Sequence, residues 1–259
     1  MRIRLGFAFG ALLAGLCPMW AQAADEPLVT DRPDFTESPF VVAKGRVQVE
    51  GGYTYTRTGD DREHALGEVL VRVPMSKKAE LRLGVPSYLW QRGGGARAVG
   101  FDDGLWEAKF ALSPGGGKGW KKPATALLFG TSLPIGARAF RENGLQPQAI
   151  FAAQWELCPA ASLGANLGYA RPSDGGARFD QVFGSLSAGF SLGGKWGAYT
   201  EIYGFNKADA TGKSAKYADG GVSYLINDDL QLDARAGLGL SNHVGGPDFF
   251  VGAGVARRF

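Results

Sequence analysis

The stretch GRVQVEGGYTYTR, residues 45–57, decides the fold. Val47, Val49, Gly51, Tyr53 and Tyr55 take every second position, and Arg46, Gln48, Glu50, Gly52, Thr54 and Thr56 fill the positions between. Side chains of a strand alternate between two faces, whereas a helix would scatter these two sets around its axis. The stretch therefore reads as a strand of roughly ten residues with one apolar and one polar face.

The same alternation recurs along the chain. Around 63–74, Ala65, Gly67, Val69, Val71 and Val73 oppose Glu68 and Arg72, and around 79–90, Leu81, Leu83 and Val85 oppose Glu80 and Arg82. Trp106, Ala108, Phe110 and Leu112 oppose Glu107 and Lys109; Ala149, Phe151, Ala153, Trp155 and Leu157 oppose Gln148, Gln154 and Glu156. Residues 123–133 are apolar on one face and small on the other. Further segments centre on Leu163–Tyr169 with Asn166 opposed, on 182–190, on 196–205 with Glu201, on 217–226, and on 231–240, where Asp233 and Arg235 oppose leucines and alanines. With DFFVGAGVARRF (248–259) this makes twelve strands, and even numbers are the rule for bacterial single-chain barrels.

Connections near Pro74, Cys158, Leu192 and Asn227 are tight, while those at 91–100, 134–147, 206–216 and 241–247 are mostly longer. Short turns at one end and longer loops at the other fit an outer-membrane barrel with both termini in the periplasm. Two connections fit poorly: 57–62 is short for the outer side and 113–122 is long for the inner one. A secreted β-sandwich also alternates, but here charges fall repeatedly in mid-strand on one face while the other stays apolar. A closed barrel satisfies every backbone group within a bilayer, so an all-β, transmembrane, antiparallel up-and-down barrel over 45–259 is the expected fold.

The amino terminus sets the compartment. Arg2 and Arg4, the apolar run Leu5–Leu16 and Ala21-Gln22-Ala23 form a secretory signal peptide over 1–23, cleaved near Ala23. Cys17 invites lipidation, but bulky Leu16 precedes it. Removing Arg2 and Arg4 takes the net charge from +3 to +1, which argues against a nucleic-acid partner. Cys158 is then the one remaining cysteine, so there is neither a disulfide framework nor a cysteine-rich metal site, and nothing calls for a cofactor.

TDRPDFTESP (30–39), GRVQVEGGYTYTR, GEVLVRVPMSKKAELRLGVPSYLW (67–90), RFDQVFGSLSAGFSLGGKWGAYTEIYGF (178–205) and DDLQLDARAGLGL (228–240) with DFFVGAGVARRF together resemble one family. It is the family of outer-membrane transporters described as "putative MetA-pathway of phenol degradation". The resemblance covers nearly all of the mature chain. It implies a β-barrel in the bacterial outer membrane that moves small aromatic or hydrophobic compounds, with no catalytic residues.

The polar faces nominate Glu50, Glu68, Arg72, Glu80, Arg82, Glu107, Lys109, Gln154, Glu156, Asn166, Glu201, Asp233 and Arg235 as lumen-lining residues. Interleaved charges can be a salt-bridged filling that rigidifies the barrel or a constriction that selects permeants. If Glu201 faces inward, parity sends Tyr199, Tyr203 and Phe205 inward too, with Phe183 beside them; a bulge would send them to lipid instead. Tyr88 and Trp90 pose the same question. The segment 24–44 reads as an extended periplasmic lead-in, and its DRPDFTESP stretch can either plug the mouth or hang free. Outer-membrane phospholipases are similar twelve-stranded barrels with a His-x-Ser pair, but neither His64 nor His243 has a serine two residues on. Val251, Ala253, Val255 and Phe259 alternate outward, and a terminal aromatic of this kind resembles the signal read by barrel-assembly machinery. The expected partners are therefore outer-membrane lipid, that machinery and a small-molecule permeant, and no enzymatic activity is expected. The alternative is a structural or envelope-interaction barrel whose lumen is closed by the charge network.

Overall fold

The computed structural model describes residues 27–116, 119–240 and 246–259; the signal-peptide residues 1–23 and His243 lie outside them. Twelve antiparallel strands follow one another around a closed wall. They are β1 (Gln48–Thr58), β2 (Asp61–Pro74), β3 (Ala79–Val85 continued by Tyr88–Gly93), β4 (Ala96–Phe101 continued by Gly104–Pro114), β5 (Ala124–Leu133) and β6 (Gln146–Cys158). The second half comprises β7 (Ala161–Ala170), β8 (Gln181–Gly193), β9 (Trp196–Phe205), β10 (Ala215–Asn227), β11 (Leu230–Gly239) and β12 (Phe249–Arg258). β12 pairs with β1 from Gln48↔Arg258 to Arg57↔Phe249, which closes the wall, and only the upper part of β4 (Ala96–Phe101) has a strand on one side alone among the described residues. Phe259 completes the seam by exchanging backbone hydrogen bonds with Val47 (2.8 and 3.2 Å).

Burial is inverted relative to a water-soluble domain. Leu83, Trp106, Phe110, Phe129, Phe151 and Leu167 stand exposed on the outer wall. The most deeply buried large side chains are Arg72, Arg82, Lys109, Gln48, Glu50, Glu80, Glu107 and Glu201, joined by a single apolar one, Leu128. An apolar exterior around a polar interior is what a strand wall facing lipid requires.

Three bulges correct the simple parity reading. In β2, Glu50↔Leu70 is followed by Gly52↔Gly67, so Gly67, Glu68 and Val69 oppose fewer residues of β1. Both Gly67 (φ 109°) and Glu68 (φ 42°) are left-handed there, which glycine adopts freely and glutamate rarely. Beyond this bulge the faces exchange: Leu66 is on the outer wall, 59% exposed, and Ala65 takes the inner side, contrary to the expectation for Ala65. Pro86–Ser87 interrupts β3 and Asp102–Asp103 interrupts β4, and each break again adds one residue to the alternation. The stretch 91–100, expected to be a loop, is instead half of a hairpin, Tyr88–Gly93 against Ala96–Phe101, turning at Gly94–Gly95. Two glycines with φ of 54° and 80° make that turn possible. The short connection at 57–62 is likewise a tight hairpin, so β1–β4 rise as two long ribbons instead of ending in loops.

Candidate functional site

The lumen is filled by the chain's own amino-terminal segment. Leu28 donates its N–H to Asp228 O (2.9 Å) at the turn between β10 and β11; the chain then climbs to Asp34–Thr36 and returns to Val42, whose N–H is held by Glu80 (2.7 Å). Leu28, Asp31, Thr36, Ser38 and Val42 are buried. Pro33 and Pro39 keep the two legs out of helical geometry, so their backbone N–H groups need acceptors. Lumen carboxylates supply them: Glu50 accepts from Asp31 N and Arg32 N (both 3.1 Å), and Glu201 from Phe35 N (2.6 Å) and from the Thr36 hydroxyl.

Seven of the nominated residues, all on β1–β4, converge on this hairpin. Asp31 is the hub, with Arg72 Nη1 at 3.0 Å, Lys109 Nζ at 2.9 Å and Arg82 Nη2 at 3.3 Å. Arg72 also meets Glu50 (2.9 Å) and Glu80 (2.8 Å), and donates to Phe40 O (3.0 Å). Arg82 meets Glu107 (2.6 Å) and Glu37 (2.7 Å). Higher in the lumen, Glu68 pairs with Arg32 (2.9 Å). Burial alone would raise the Asp31 pKa, but Arg72, Lys109 and Arg82 outweigh it and hold the carboxyl well below the usual carboxylate range. Glu37 is pushed up to about 7 by burial against the pull of Arg82, with Asp31 and Glu107 adding to the rise.

The other nominated residues are spread around the wall. Asp233 faces Arg32 at 3.6 Å. Arg235 donates to Pro33 O (2.9 Å) and Thr54 Oγ1 (3.0 Å) and lies 5.3 Å from the Phe250 ring centroid. Asn166 accepts from Glu37 N (2.7 Å) and returns a bond to Glu37 O (3.0 Å), a two-point clasp on the descending leg. Gln154 is half-buried on β6, and Glu156 is exposed beside Cys158. Both Glu156 and Cys158 line a cavity of about 430 Å³ that extends from the turns at 158–161 and 194–197 up to Asp34 and Tyr199.

The opposite side of the lumen is apolar. Ala126, Leu128, Ile150, Ala152 and Phe183 form a buried cluster, and Phe35, Ala170 and Phe205 pack against it. Phe35 lies flat on Tyr203 (centroids 4.3 Å apart, planes 9° from parallel) and meets Phe183 and Phe205 edge-on at 5.9 and 5.7 Å. The open register question is thus answered: Tyr199, Tyr203, Phe205 and Phe183 face the lumen, while Tyr88 and Trp90 face outward. Beside the ring, Asp34 accepts from Ser187 Oγ (3.0 Å); burial, reinforced by Glu201, pushes its carboxyl well above the ordinary range. Sequence reasoning missed Asp31, Phe35 and the Leu128–Ile150 patch. The only signal for that patch was that 123–133 and 148–157 carry aliphatics on both faces.

His64 sits on the outer wall, its Nδ1 2.6 Å from the Tyr53 hydroxyl and its ring against Tyr55 and Trp90. Among the described residues no cluster of three His, Cys, Asp or Glu could hold a metal ion. Val251, Val255 and Phe259 are exposed on the outer wall, and Ala253 shares their face. Arg257 shares it as well, its guanidinium 4.9 Å from the Phe259 ring.

A family model described as "Putative MetA-pathway of phenol degradation" matches residues 30–259, which include both legs of the hairpin. The chain belongs to this family. Among solved structures it is similar to a COG4313 outer membrane channel from Pseudomonas putida F1: 14% identity over 89% of this chain and 100% of that one, TM-score 0.64. At that identity the likeness bears on the fold, an outer-membrane-type β-barrel. Weaker likenesses, at 10% identity and 83% of this chain, are to an anion-selective porin from Comamonas acidovorans (98% of that chain, TM-score 0.41) and to the CymD monoaromatic hydrocarbon channel (88% of that chain, TM-score 0.42). No curated protein matches the chain.

Proposed function

We propose that the protein is an outer-membrane channel for small aromatic or hydrophobic molecules, and that its lumenal hairpin is the gate. The observation that carries this reading is Phe35: an aromatic ring already occupies a lumen-facing cradle of Tyr203, Phe183 and Phe205. The cradle binds a flat apolar ring by stacking and edge contacts, and these favour any ring of that size. A permeant that displaces Phe35 takes over those contacts, and the polar legs of the hairpin need not leave the lumen. The charge network supplies selectivity at the mouth and the aromatic cradle supplies affinity, in the general pattern of an apolar site with a few fixed polar groups. Direction of transport follows the permeant's gradient. Barrel-assembly machinery, reading Phe259, is the proposed route of insertion, and catalysis has no part in this reading.

The test is solute flux into liposomes carrying the refolded protein, with phenol, toluene, glucose and a short fatty acid compared at equal concentration. Faster entry of the aromatic solutes than of glucose is expected. The second reading, a structural barrel sealed by the hairpin, is supported by Asp31 with its three cations; it predicts no flux of any solute and no conductance even with aromatics present.

A further inference from the structure

The bulges of β2, β3 and β4 place an unusual set of side chains on the outer wall. Register pairs Arg57 with Arg62, Arg62 with Arg92, and Arg92 with Arg97. Four arginines therefore stand side by side on four consecutive strands, and all four are exposed. Their face is the lipid-facing one. Two residues along each strand toward the membrane comes the rung Tyr55–His64–Trp90–Val99, and two further comes Tyr53–Leu66–Tyr88–Phe101. Leu66, Tyr88, Val99 and Phe101 are all among the strongly exposed apolar residues of the outer wall. The arginine rung thus caps an aromatic girdle, the level at which headgroups meet the barrel.

Like charges directly opposite on paired strands repel one another. Among the described residues none of these arginines is in an ion pair; Arg57 donates to Gly59 O (3.0 Å) and does not reach a carboxylate. Of the acids of the same ribbons, Asp60 is exposed at the turn and in no ion pair among the described residues, and Glu63 and Asp61 are turned away. Glu63 accepts from Gln91 on the inner face, and the Asp61 carboxylate lies over Gly93 at a distance that would exclude a Cβ there. Asp248 is engaged by Gly59 N (2.7 Å). Four guanidinium groups in register, unpaired and at headgroup height, have the chemistry of an anion site, and planar guanidinium suits phosphate oxygens two at a time. The end of the barrel matters too. The rung flanks the hairpin turns at 59–60 and 94–95, at the end of the barrel opposite the turns at 75–78, 159–160, 194–195 and 228–229 and the Val47–Phe259 seam, so it faces the extracellular side, where the outer leaflet of such a membrane is a phosphorylated glycolipid.

We infer that Arg57, Arg62, Arg92 and Arg97 form a docking site on the outer wall for the sugar phosphates of outer-leaflet glycolipid. The acyl chains would lie along the Leu66–Tyr88–Phe101 rung beneath. This site is independent of the lumen, and a failure of the channel reading leaves it standing.

Native mass spectrometry of the refolded protein in neutral detergent, titrated with diphosphoryl lipid A, tests it. The variant Arg57→Gln/Arg62→Gln/Arg92→Gln/Arg97→Gln should bind at least about tenfold more weakly than wild type, because charge attraction at the headgroup is what it removes. Dephosphorylated lipid A should bind both proteins equally weakly, and neither phosphatidylglycerol nor millimolar inorganic phosphate should displace lipid A from wild type. The variant Lys77→Gln/Lys78→Gln/Lys121→Gln/Lys122→Gln removes as much charge at the periplasmic end and should bind normally. Folding is checked by heat-modifiable mobility; if the fourfold variant fails it, Arg62→Gln/Arg92→Gln takes its place with a smaller loss expected. Unchanged binding by the arginine variants overturns the inference, as does equal loss in the lysine control. Equal competition by phosphatidylglycerol or phosphate would also overturn it, reducing the rung to a generic anion patch.

Discussion

On the β1–β4 side of the lumen the hairpin is held by charge, through Asp31 and its three cations. On the β5–β9 side it is held without a charge pair, by the Phe35 ring against Tyr203, Phe183 and Phe205 and by hydrogen bonds with Asn166, Ser187 and Glu201. The two attachments differ in what can replace them. A buried carboxylate that leaves three cations behind uncovers charge in a poorly solvated space, which is strongly unfavourable. A ring that leaves an aromatic cradle can be replaced by any ring of similar size. The charged side is therefore the anchor of the hairpin and the apolar side its latch.

The comparison can be broken most severely at the anchor. Asp31→Ala should cost about 3–5 kcal/mol of hairpin docking and give channels that conduct without ligand, visible as high, voltage-independent single-channel current. If that variant stays as closed as wild type, the anchor lies elsewhere. At the latch, Phe35→Ala should weaken docking by about 2–3 kcal/mol, less than a fully buried Phe because the ring is half-buried, and Phe35→Leu should restore most of it. Reading open probability for both variants, with and without phenol, separates loss of packing from loss of ring stacking: phenol should reopen wild type but add little to Phe35→Ala.

A smaller effect should come from pH. The docked Asp34 carboxyl has a raised pKa and is hydrogen-bonded by Ser187 beside Glu201, so the docked state binds a proton that the released state gives up. Docking is then strongest at low pH and weakens as pH rises above the ordinary carboxylate range. Asp31 acts in the opposite sense, since its depressed pKa costs docking only when pH falls below that range. Between about pH 5 and about pH 8 the two raised carboxyls of the hairpin, Asp34 and Glu37, change in the same sense, and open probability should rise a few-fold; Asp34→Asn should reduce the slope and Asp34→Asn/Glu37→Gln should flatten it. Smallest is the change in ion selectivity. Glu68→Gln, which leaves Asp31 and its three cations in place, should shift reversal potential on the order of a few millivolts toward anions.

Much of this architecture was legible in the chain. Period-2 alternation gives twelve strands, inward charges and a closing seam at Phe259, because in a thin wall between lipid and lumen every residue answers to one of two environments. Parity failed where the wall departs from regular pairing. The bulges at Gly67–Glu68, Pro86–Ser87 and Asp102–Asp103 each insert one residue, and after each one every following side chain changes face. Simple alternation therefore puts Ala65 outward where the structure has it inward, and reads 91–100 as a loop where it is part of a ribbon carrying two arginines of the outer rung.

The strand charges Glu50, Arg72, Glu80, Arg82, Glu107 and Lys109 could be nominated from sequence because each sits between apolar neighbours on its own strand. Asp31 and Phe35 could not. They lie in a segment with no periodicity, and their roles come from partners as distant in sequence as Lys109 and Tyr203. Local alternation determines which way a strand residue points. Only closure of the barrel, which brings β1–β4 and β5–β9 to opposite sides of one lumen, decides that a single hairpin is gripped by charge on one side and by aromatic rings on the other.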